Sequence, residues 1–226
     1  MGGLSPDDTV LRKVKSRLTI PVYVMIRPHA RSFCYETSDF ETMKETLTAL
    51  KSHGADGFVF GILSRSDRET ETCPHSGWID VPRNKELVRL ADGRPCTFHR
   101  AFDLIPETQW ESALADIMEC GFSSILTNGG PSGTTAIDCV DKLTALVHWK
   151  NSQITNNPGL QNRVPEIIVG GGVRASNIQS LRETTAASVF HSAALLARTE
   201  TVSEVEITRM KAQLCGPKTD TSAIDD

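Results

Sequence analysis

The sequence predicts an α/β fold with a parallel sheet, because short apolar segments alternate with amphipathic segments along its 226 residues. The short segments are rich in apolar and β-branched residues, which is typical of parallel strands covered on both faces. Such segments are predicted as strands at residues 22–28, 57–63, 96–103, 124–130, 166–172 and 188–193.

The segments between the strands carry apolar residues at helical spacing. Ser5 and Pro6 suit the start of a helix ahead of the first strand. Ser38 or Asp39 can cap the next helix, which Gly54 ends. Further helices are predicted to start near Pro82, Pro106 and Thr134, to follow the glycines at residues 170–172, and to occupy residues 203–215.

A TIM-type (β/α) barrel is favoured over a doubly wound sheet, because polar residues follow nearly every predicted strand instead of clustering at one switch point. These residues are Arg27, His99, Asp103, Thr127, Asn128, His191 and Ser192. We expect one barrel domain over residues 1–215 and a disordered tail over residues 216–226. The polar loop at residues 64–80 is expected on the functional face, and residues 151–163 are expected to form an inserted loop on the opposite face.

The composition excludes several classes of function. Hydrophobic residues make up 39%, charged residues 23% and aromatic residues 6%, which excludes a disordered or collagen-like chain. The 24 Lys and Arg against 28 Asp and Glu give a formal net charge of −4, so the overall field does not favour nucleic acid or an anionic membrane as partner. No stretch is apolar for long enough to span a bilayer, and the N-terminus lacks the regions of a signal peptide.

The six cysteines are scattered without a CxxC pattern. In a chain of this length without an export signal, that distribution predicts reduced thiols and a cytoplasmic location.

Four polar side chains are predicted to converge at the mouth of the barrel. Strand alternation turns His99 and Asp103 to one face, and Arg27 and His191 are placed at the ends of other strands. One carboxylate, two imidazoles and a guanidinium can perform acid–base catalysis on an anionic substrate. The alternative interpretation is a buried polar plug in which these groups satisfy one another.

A glycine loop gives a second candidate site. Gly170, Gly171 and Gly172 follow a predicted strand and precede a helix, an arrangement in which backbone N–H groups can bind a phosphate. The alternative is a tight turn that needs glycine for positive φ.

A metal site is the third possibility. His99 and His191 are candidate ligands, and Cys34 and Met25 are soft ligands suited to Cu(I). Cys73 and His75 form a further thiol–imidazole pair in the polar loop. The ligands lack the close spacing of a zinc motif.

Four strings of the sequence resemble the CutC family of copper homeostasis proteins: VMIRP at residues 24–28, ADGFVFG at 55–61, TFHRAFD at 97–103 and FHS at 190–192. The resemblance covers about residues 3–196. It implies a TIM-type barrel, a cytoplasmic location, self-association and a role in copper handling through Cu(I). It implies no settled enzymatic activity.

The chain departs from the family pattern in two places. Members carry two further strands ahead of the point where this sequence begins, so six of eight barrel strands are expected here. Residues 29–32 read HARS where members tend to have Arg-Gly-Gly-Asp. Either the coding sequence is truncated, which we favour, or a second copy covers the gap. The chain alone is therefore expected to be poorly soluble or to form a homo-oligomer.

Three functions follow as hypotheses. The first is copper binding by His99, His191 and Cys34. The second is an enzyme in which Arg27 and the glycine loop hold a small phosphorylated or anionic metabolite while His99 and Asp103 move protons. The third is a nonfunctional remnant.

Overall fold

Six short parallel strands form one sheet in the computed structural model, which describes residues 3–64, 77–131, 133–195 and 201–215. The strands pair in chain order, each with the next, and curl into a half-barrel. A doubly wound sheet reverses its strand order at a switch point, so the sequential order indicates a barrel wall. The strands are β1 (Tyr23–Met25), β2 (Gly57–Phe60), β3 (Cys96–Phe98), β4 (Ser124–Thr127), β5 (Glu166–Val169) and β6 (Val189–Phe190).

Helices follow the strands, as the alternation of segments predicts. Asp80 caps one of them by accepting a hydrogen bond from the Arg83 backbone N–H, and Ser203 caps another through Glu206. The helices are α1 (Asp8–Lys15), α2 (Thr37–Ser52), α3 (Val81–Leu90), α4 (Trp110–Cys120), α5 (Val140–Asn156), α6 (Ile178–Thr185) and α7 (Glu204–Leu214).

Strand alternation separates the core from the barrel interior. Phe60 and Phe98, which are register partners, point to the helix side and pack against Phe122 at ring-centroid distances of 5.0 and 5.2 Å. All three rings are buried. Their neighbours Val59 and Thr97 point the other way and line the barrel interior. The aromatic core therefore fixes which side chains face inward.

Two predicted segments end differently in the structure. The strand predicted at residues 96–103 ends at Phe98, and the chain continues as a 3₁₀ helix at Arg100–Leu104. The prediction that strand alternation turns Asp103 to the same face as His99 therefore fails, because alternation applies only within a strand. The prediction of a loop at residues 151–163 is also wrong in part. Helix α5 runs on to Asn156. It ends there because Pro158, two residues later, cannot continue a helix, and Pro158–Leu160 forms a 3₁₀ turn.

Some predicted features lie outside the described residues. They are most of the polar loop, with Cys73 and His75, and the tail at residues 216–226. In the part of the chain that is described, every helix is too short or too polar to cross a bilayer.

Candidate functional site

A cavity of about 560 Å³ opens in the barrel interior, on the face of the sheet opposite the aromatic core. Strands β1 to β5 and the segments that follow them contribute its walls, and His191 closes it beyond β6. The lining residues are Gly3, Tyr23, Met25, Arg27, Phe33, Val59, Thr97, His99, Arg100, Leu126, Ile168 and His191. None of these is acidic, so the charged side chains among them are arginines.

His99 occupies the turn between β3 and the 3₁₀ helix that follows it. Its Nδ1 accepts a hydrogen bond of 3.3 Å from the backbone N–H of Ala101, so the imidazole caps this helix. The ring packs edge-on against Phe33 with centroids 4.6 Å apart. A Cβ at Gly61 would lie 2.9 Å from Nδ1, so the close approach of β2 requires glycine there. The hydrogen bond from Ala101, the Phe33 ring and the backbone at Gly61 thus hold the ring of His99 in one orientation.

Burial determines the charge of His99. The side chain is only 3% exposed. Desolvation, followed by the positive charge of Arg27, lowers the pKa of His99 from 6.5 to about 3. The imidazole is therefore neutral at physiological pH.

Arg27 lies beside His99 in the segment that follows β1. Its backbone N–H donates to Ser5 Oγ at 2.8 Å, which ties the segment before α1 to the end of the strand. Its guanidinium lies 4.5 Å from the centre of the Phe33 ring and donates to the Ala30 carbonyl at 3.1 Å. Phe33 thus contacts both Arg27 and His99.

His191 lies at the rim of the same cavity. Its backbone N–H donates to the Val169 carbonyl at 2.8 Å, which continues the β5–β6 ladder by one residue. The residue is solvent-exposed, yet enough protein surrounds the ring for desolvation, followed by the charge of Arg100, to lower the pKa of His191. With its pKa below the usual value, the imidazole is mostly neutral near pH 7.

Asp103 does not line the cavity. Its Oδ1 accepts hydrogen bonds from Thr127 Oγ1 at 2.5 Å and from the Asn128 N–H at 3.2 Å, while Oδ2 accepts from Arg100 Nε at 2.6 Å. Burial raises the pKa of Asp103, and these bonds and the charge of Arg100 oppose that effect. The carboxylate joins the ends of β3 and β4. Its partners do not include Arg27, His99 or His191, so the plug predicted among these four groups does not form through Asp103.

The glycine loop also lies outside the cavity lining. Gly171 and Gly172 have φ values of +89° and +76°, and a Cβ at Gly170 would lie 2.6 Å from Leu126 Cδ1. Conformation and packing therefore each require glycine here. Helix α6 begins only at Ile178, after an intervening turn. A phosphate at Gly170, Gly171 and Gly172 stays a prediction.

Cys34 lies next to Phe33 in sequence but is not among the lining residues. Its thiol donates to the Ser64 carbonyl at 3.4 Å. Within the described ranges, no three His, Cys, Asp or Glu side chains cluster closely enough to hold a metal ion. The cavity lining contains the imidazoles of His99 and His191 and the thioether of Met25, groups that can bind a soft metal.

The cavity thus collects Arg27, His99 and His191, and leaves Asp103, Cys34 and the glycine loop outside. Sequence reasoning missed the roles of Arg100 and Phe33. Arg100 directly follows His99 at a strand end, which was the available signal. Phe33 has no such signal, because its role comes from a ring contact between distant segments.

Comparison with known proteins identifies the family of this chain. The CutC family model matches residues 1–196. The chain belongs to the CutC family. A copper homeostasis protein cutC homolog of Mus musculus is 34% identical over 197 residues, covering 87% of this chain and 63% of the mouse protein. A CutC family protein of Treponema denticola is 32% identical over 200 residues, covering 88% of this chain and 71% of that protein.

Solved structures support the same assignment. CutC of Streptococcus agalactiae superposes with a TM-score of 0.71 at 30% identity, covering 84% of this chain and 82% of that one. Triosephosphate isomerase of Bartonella henselae superposes with a TM-score of 0.51 at 15% identity, covering 91% of this chain and 83% of that chain. The second likeness concerns the fold alone and confirms the TIM-barrel type.

Proposed function

We propose that this CutC family protein serves copper homeostasis by binding a Cu(I) ion in the interior cavity. The observation that carries the proposal is that Met25, His99 and His191 line one cavity in a chain of this family. Thioether and imidazole groups are ligands that suit Cu(I). The lowered pKa values keep both imidazoles neutral at pH 7, which leaves one nitrogen of each ring with a free lone pair.

The three donors differ in how readily they would bind the ion. Met25 and His191 have no competing side-chain hydrogen bond among the described contacts. His99 accepts a hydrogen bond at Nδ1, so ligation through Nε2 requires the other tautomer and the loss of the bond from Ala101. Cys34 would have to leave the Ser64 carbonyl to reach the cavity. We therefore assign the main ligand roles to His191 and Met25.

Acid–base catalysis by His99 and Asp103 on a metabolite is not favoured. A histidine with a pKa of about 3 is a weak base near pH 7 and carries no imidazolium proton to donate, so it is poorly matched to proton transfer at that pH. Asp103 has its carboxylate oxygens occupied by Thr127, Asn128 and Arg100.

Competition titration tests the copper proposal. The reduced 226-residue chain is titrated with Cu(I) against bathocuproine disulfonate without oxygen, and we expect one ion per chain. His191→Ala and Met25→Leu are each expected to weaken binding by about tenfold or more, since losing even an outer-shell partner of a metal ligand costs about that much. Cys34→Ser is the matched control, and its affinity should be unchanged.

Two results would overturn the proposal. One is the absence of stoichiometric Cu(I) binding by the wild-type chain. The other is a loss of affinity in Cys34→Ser with none in His191→Ala and Met25→Leu, which would move the ion out of the cavity.

We also propose the cytosol as the location of this function. The cysteines in the described ranges, Cys34, Cys96, Cys120, Cys139 and Cys215, are all free thiols, and thiols persist in reducing compartments. Burial raises the pKa of Cys96 and Cys120 to about 12, so neither is a reactive thiolate.

A further inference from the structure

Arg100 is the first residue of the 3₁₀ helix after β3, and a buried carboxylate holds its side chain. Its Nε donates to Asp103 Oδ2 at 2.6 Å, and Asp103 is fixed in turn by Thr127 and Asn128. A guanidinium group has five N–H donors, of which Nε carries one. Asp103 therefore orients Arg100 through Nε and leaves the N–H groups of Nη1 and Nη2 for other acceptors.

The Nη edge of Arg100 is available to a ligand in the barrel cavity. Arg100 lines the cavity, and its side chain is 40% exposed whereas that of Asp103 is buried. Nη1 and Nη2 make no hydrogen bond with any residue that the structure describes. The two nitrogens present parallel N–H groups that match two oxygens of one anion. This edge therefore indicates a ligand with an oxyanion group.

The glycine loop after β5 lies against the same guanidinium. A Cβ at Gly171 would lie 3.8 Å from Arg100 Cζ, so glycine keeps the space beside the guanidinium open. The Gly171 carbonyl accepts from the Ala136 N–H at 2.8 Å, and the Gly172 carbonyl accepts from Asn177 Nδ2 at 3.0 Å. The N–H groups of Gly171 and Gly172 have no partner among the described residues. The loop is thus held by its carbonyls and keeps two backbone donors unused next to Arg100.

A phosphate group suits this combination of donors better than a carboxylate does. Both oxygens of a carboxylate would be used by the Nη edge of Arg100, whereas a phosphate monoester has further oxygens for backbone N–H groups. The Gly171 backbone is near enough to Arg100 for one phosphate group to contact both. Asp103 offsets part of the charge of Arg100, so recognition here depends mainly on the directions of the hydrogen bonds.

We propose that the phosphate group of a small phosphorylated molecule binds where Arg100 meets the glycine loop. Nη1 and Nη2 of Arg100 each donate to a phosphate oxygen, and the N–H groups of Gly171 and Gly172 donate to the remaining oxygens. Leu126 and Ile168 line the cavity beside this point and contact the organic part of the molecule. The molecule is bound without reaction, and the proposal does not depend on copper binding.

Amide NMR in the absence of copper tests the site. In ¹H–¹⁵N spectra of the 226-residue chain labelled with ¹⁵N-glycine, glycerol 3-phosphate is expected to move the Gly171 and Gly172 signals downfield in a saturable manner. Inorganic phosphate should cause the same shifts at lower affinity, because it lacks the organic part. The absence of saturable shifts at these glycines with both probes would overturn the proposal, as would equal shifts with acetate. Tighter binding of inorganic phosphate than of the ester would overturn the assignment to an organic phosphate.

A matched pair of variants tests the role of Arg100. Arg100→Lys keeps a positive charge but lacks the planar pair of donors. In calorimetric titrations we expect its affinity for glycerol 3-phosphate to fall about tenfold or more, since hydrogen bonds to charged groups are lost. Arg89→Gln is the control, because Arg89 is exposed on α3 and does not line the cavity, and its affinity should be unchanged. Equal affinity in Arg100→Lys and the wild type would contradict the role of the Nη edge.

His191→Ala distinguishes this site from the copper site. The variant lacks a proposed copper ligand but keeps Arg100 and the glycine loop, so it should lose Cu(I) affinity and retain the shifts caused by glycerol 3-phosphate. Loss of those shifts in His191→Ala, with retention in Arg100→Lys, would overturn the phosphate assignment without affecting the copper proposal.

Discussion

At the scale of single residues, His99 makes the stability of the fold depend on pH. Its pKa is about 3 in the folded chain against 6.5 for an exposed histidine. Between these values the unfolded chain binds a proton that the folded chain does not, so stability is fully present above pH 6.5 and declines as the pH falls toward 3. The limiting slope is about 1.4 kcal/mol per pH unit.

Urea unfolding at a series of pH values measures this effect. We expect the free energy of unfolding of the wild type to fall between about pH 7 and about pH 5 more steeply than that of His99→Asn. All other titrating groups are shared by the two chains, so the difference isolates the imidazole. Parallel pH profiles would show that His99 is protonated as easily in the folded chain as in the unfolded one.

Which histidines line the cavity could be predicted from sequence better than their tautomers and hydrogen-bond partners. His99 and His191 were recognisable because each imidazole follows an apolar strand segment, and both line the cavity. The tautomer of His99 was not predictable, because it depends on the N–H of Ala101 in a 3₁₀ turn. The surroundings of Asp103 were missed for the same reason, since its partners come from β4 and from the turn itself.

At the scale of elements, Asp103 connects the 3₁₀ helix after β3 to the end of β4. Asp103→Ala removes the acceptor for Thr127 Oγ1, the Asn128 N–H and Arg100. Because the first two donors are buried, we expect a loss of about 2 to 4 kcal/mol in the free energy of unfolding. The part due to Arg100 is small, since its side chain is 40% exposed.

Chemical denaturation compares Asp103→Ala with Glu45→Ala, which removes an exposed carboxylate in the middle of α2. The control should leave stability nearly unchanged. Equal stability of the two variants would mean that the carboxylate of Asp103 does not join the two strand ends.

The elements were predictable in kind and order but not in length. All six strand segments form strands, because continuous apolar runs are what a sheet covered on both faces requires. Each strand is shorter than its apolar run, since pairing stops where the chain turns. The chain turns after His99, where a 3₁₀ helix begins at Arg100, and at Gly171 after β5. Those turns depend on tertiary contacts, which single-sequence periodicity does not contain.

At the scale of the whole molecule, the described sheet has two edges. β1 and β6 each pair with one neighbour only, and both carry exposed apolar side chains. Tyr23 on β1 is 44% exposed and Val189 on β6 is 37% exposed. Unpaired edge strands with apolar side chains are sites of association between chains. The edges stay open because six strands do not close a barrel of eight, and the sequence predicted six strands correctly.

We therefore expect the isolated 226-residue chain to self-associate through its sheet edges. Val189→Lys places a charge on β6, where lysine discourages pairing between edges. Val205→Lys is the matched control, because Val205 is 60% exposed on α7 and belongs to neither edge strand. In size-exclusion chromatography with light scattering, Val189→Lys should lower the average mass while Val205→Lys leaves it unchanged. A wild-type chain that elutes as a monomer and unfolds cooperatively would contradict the expectation, as would equal effects of the two lysines.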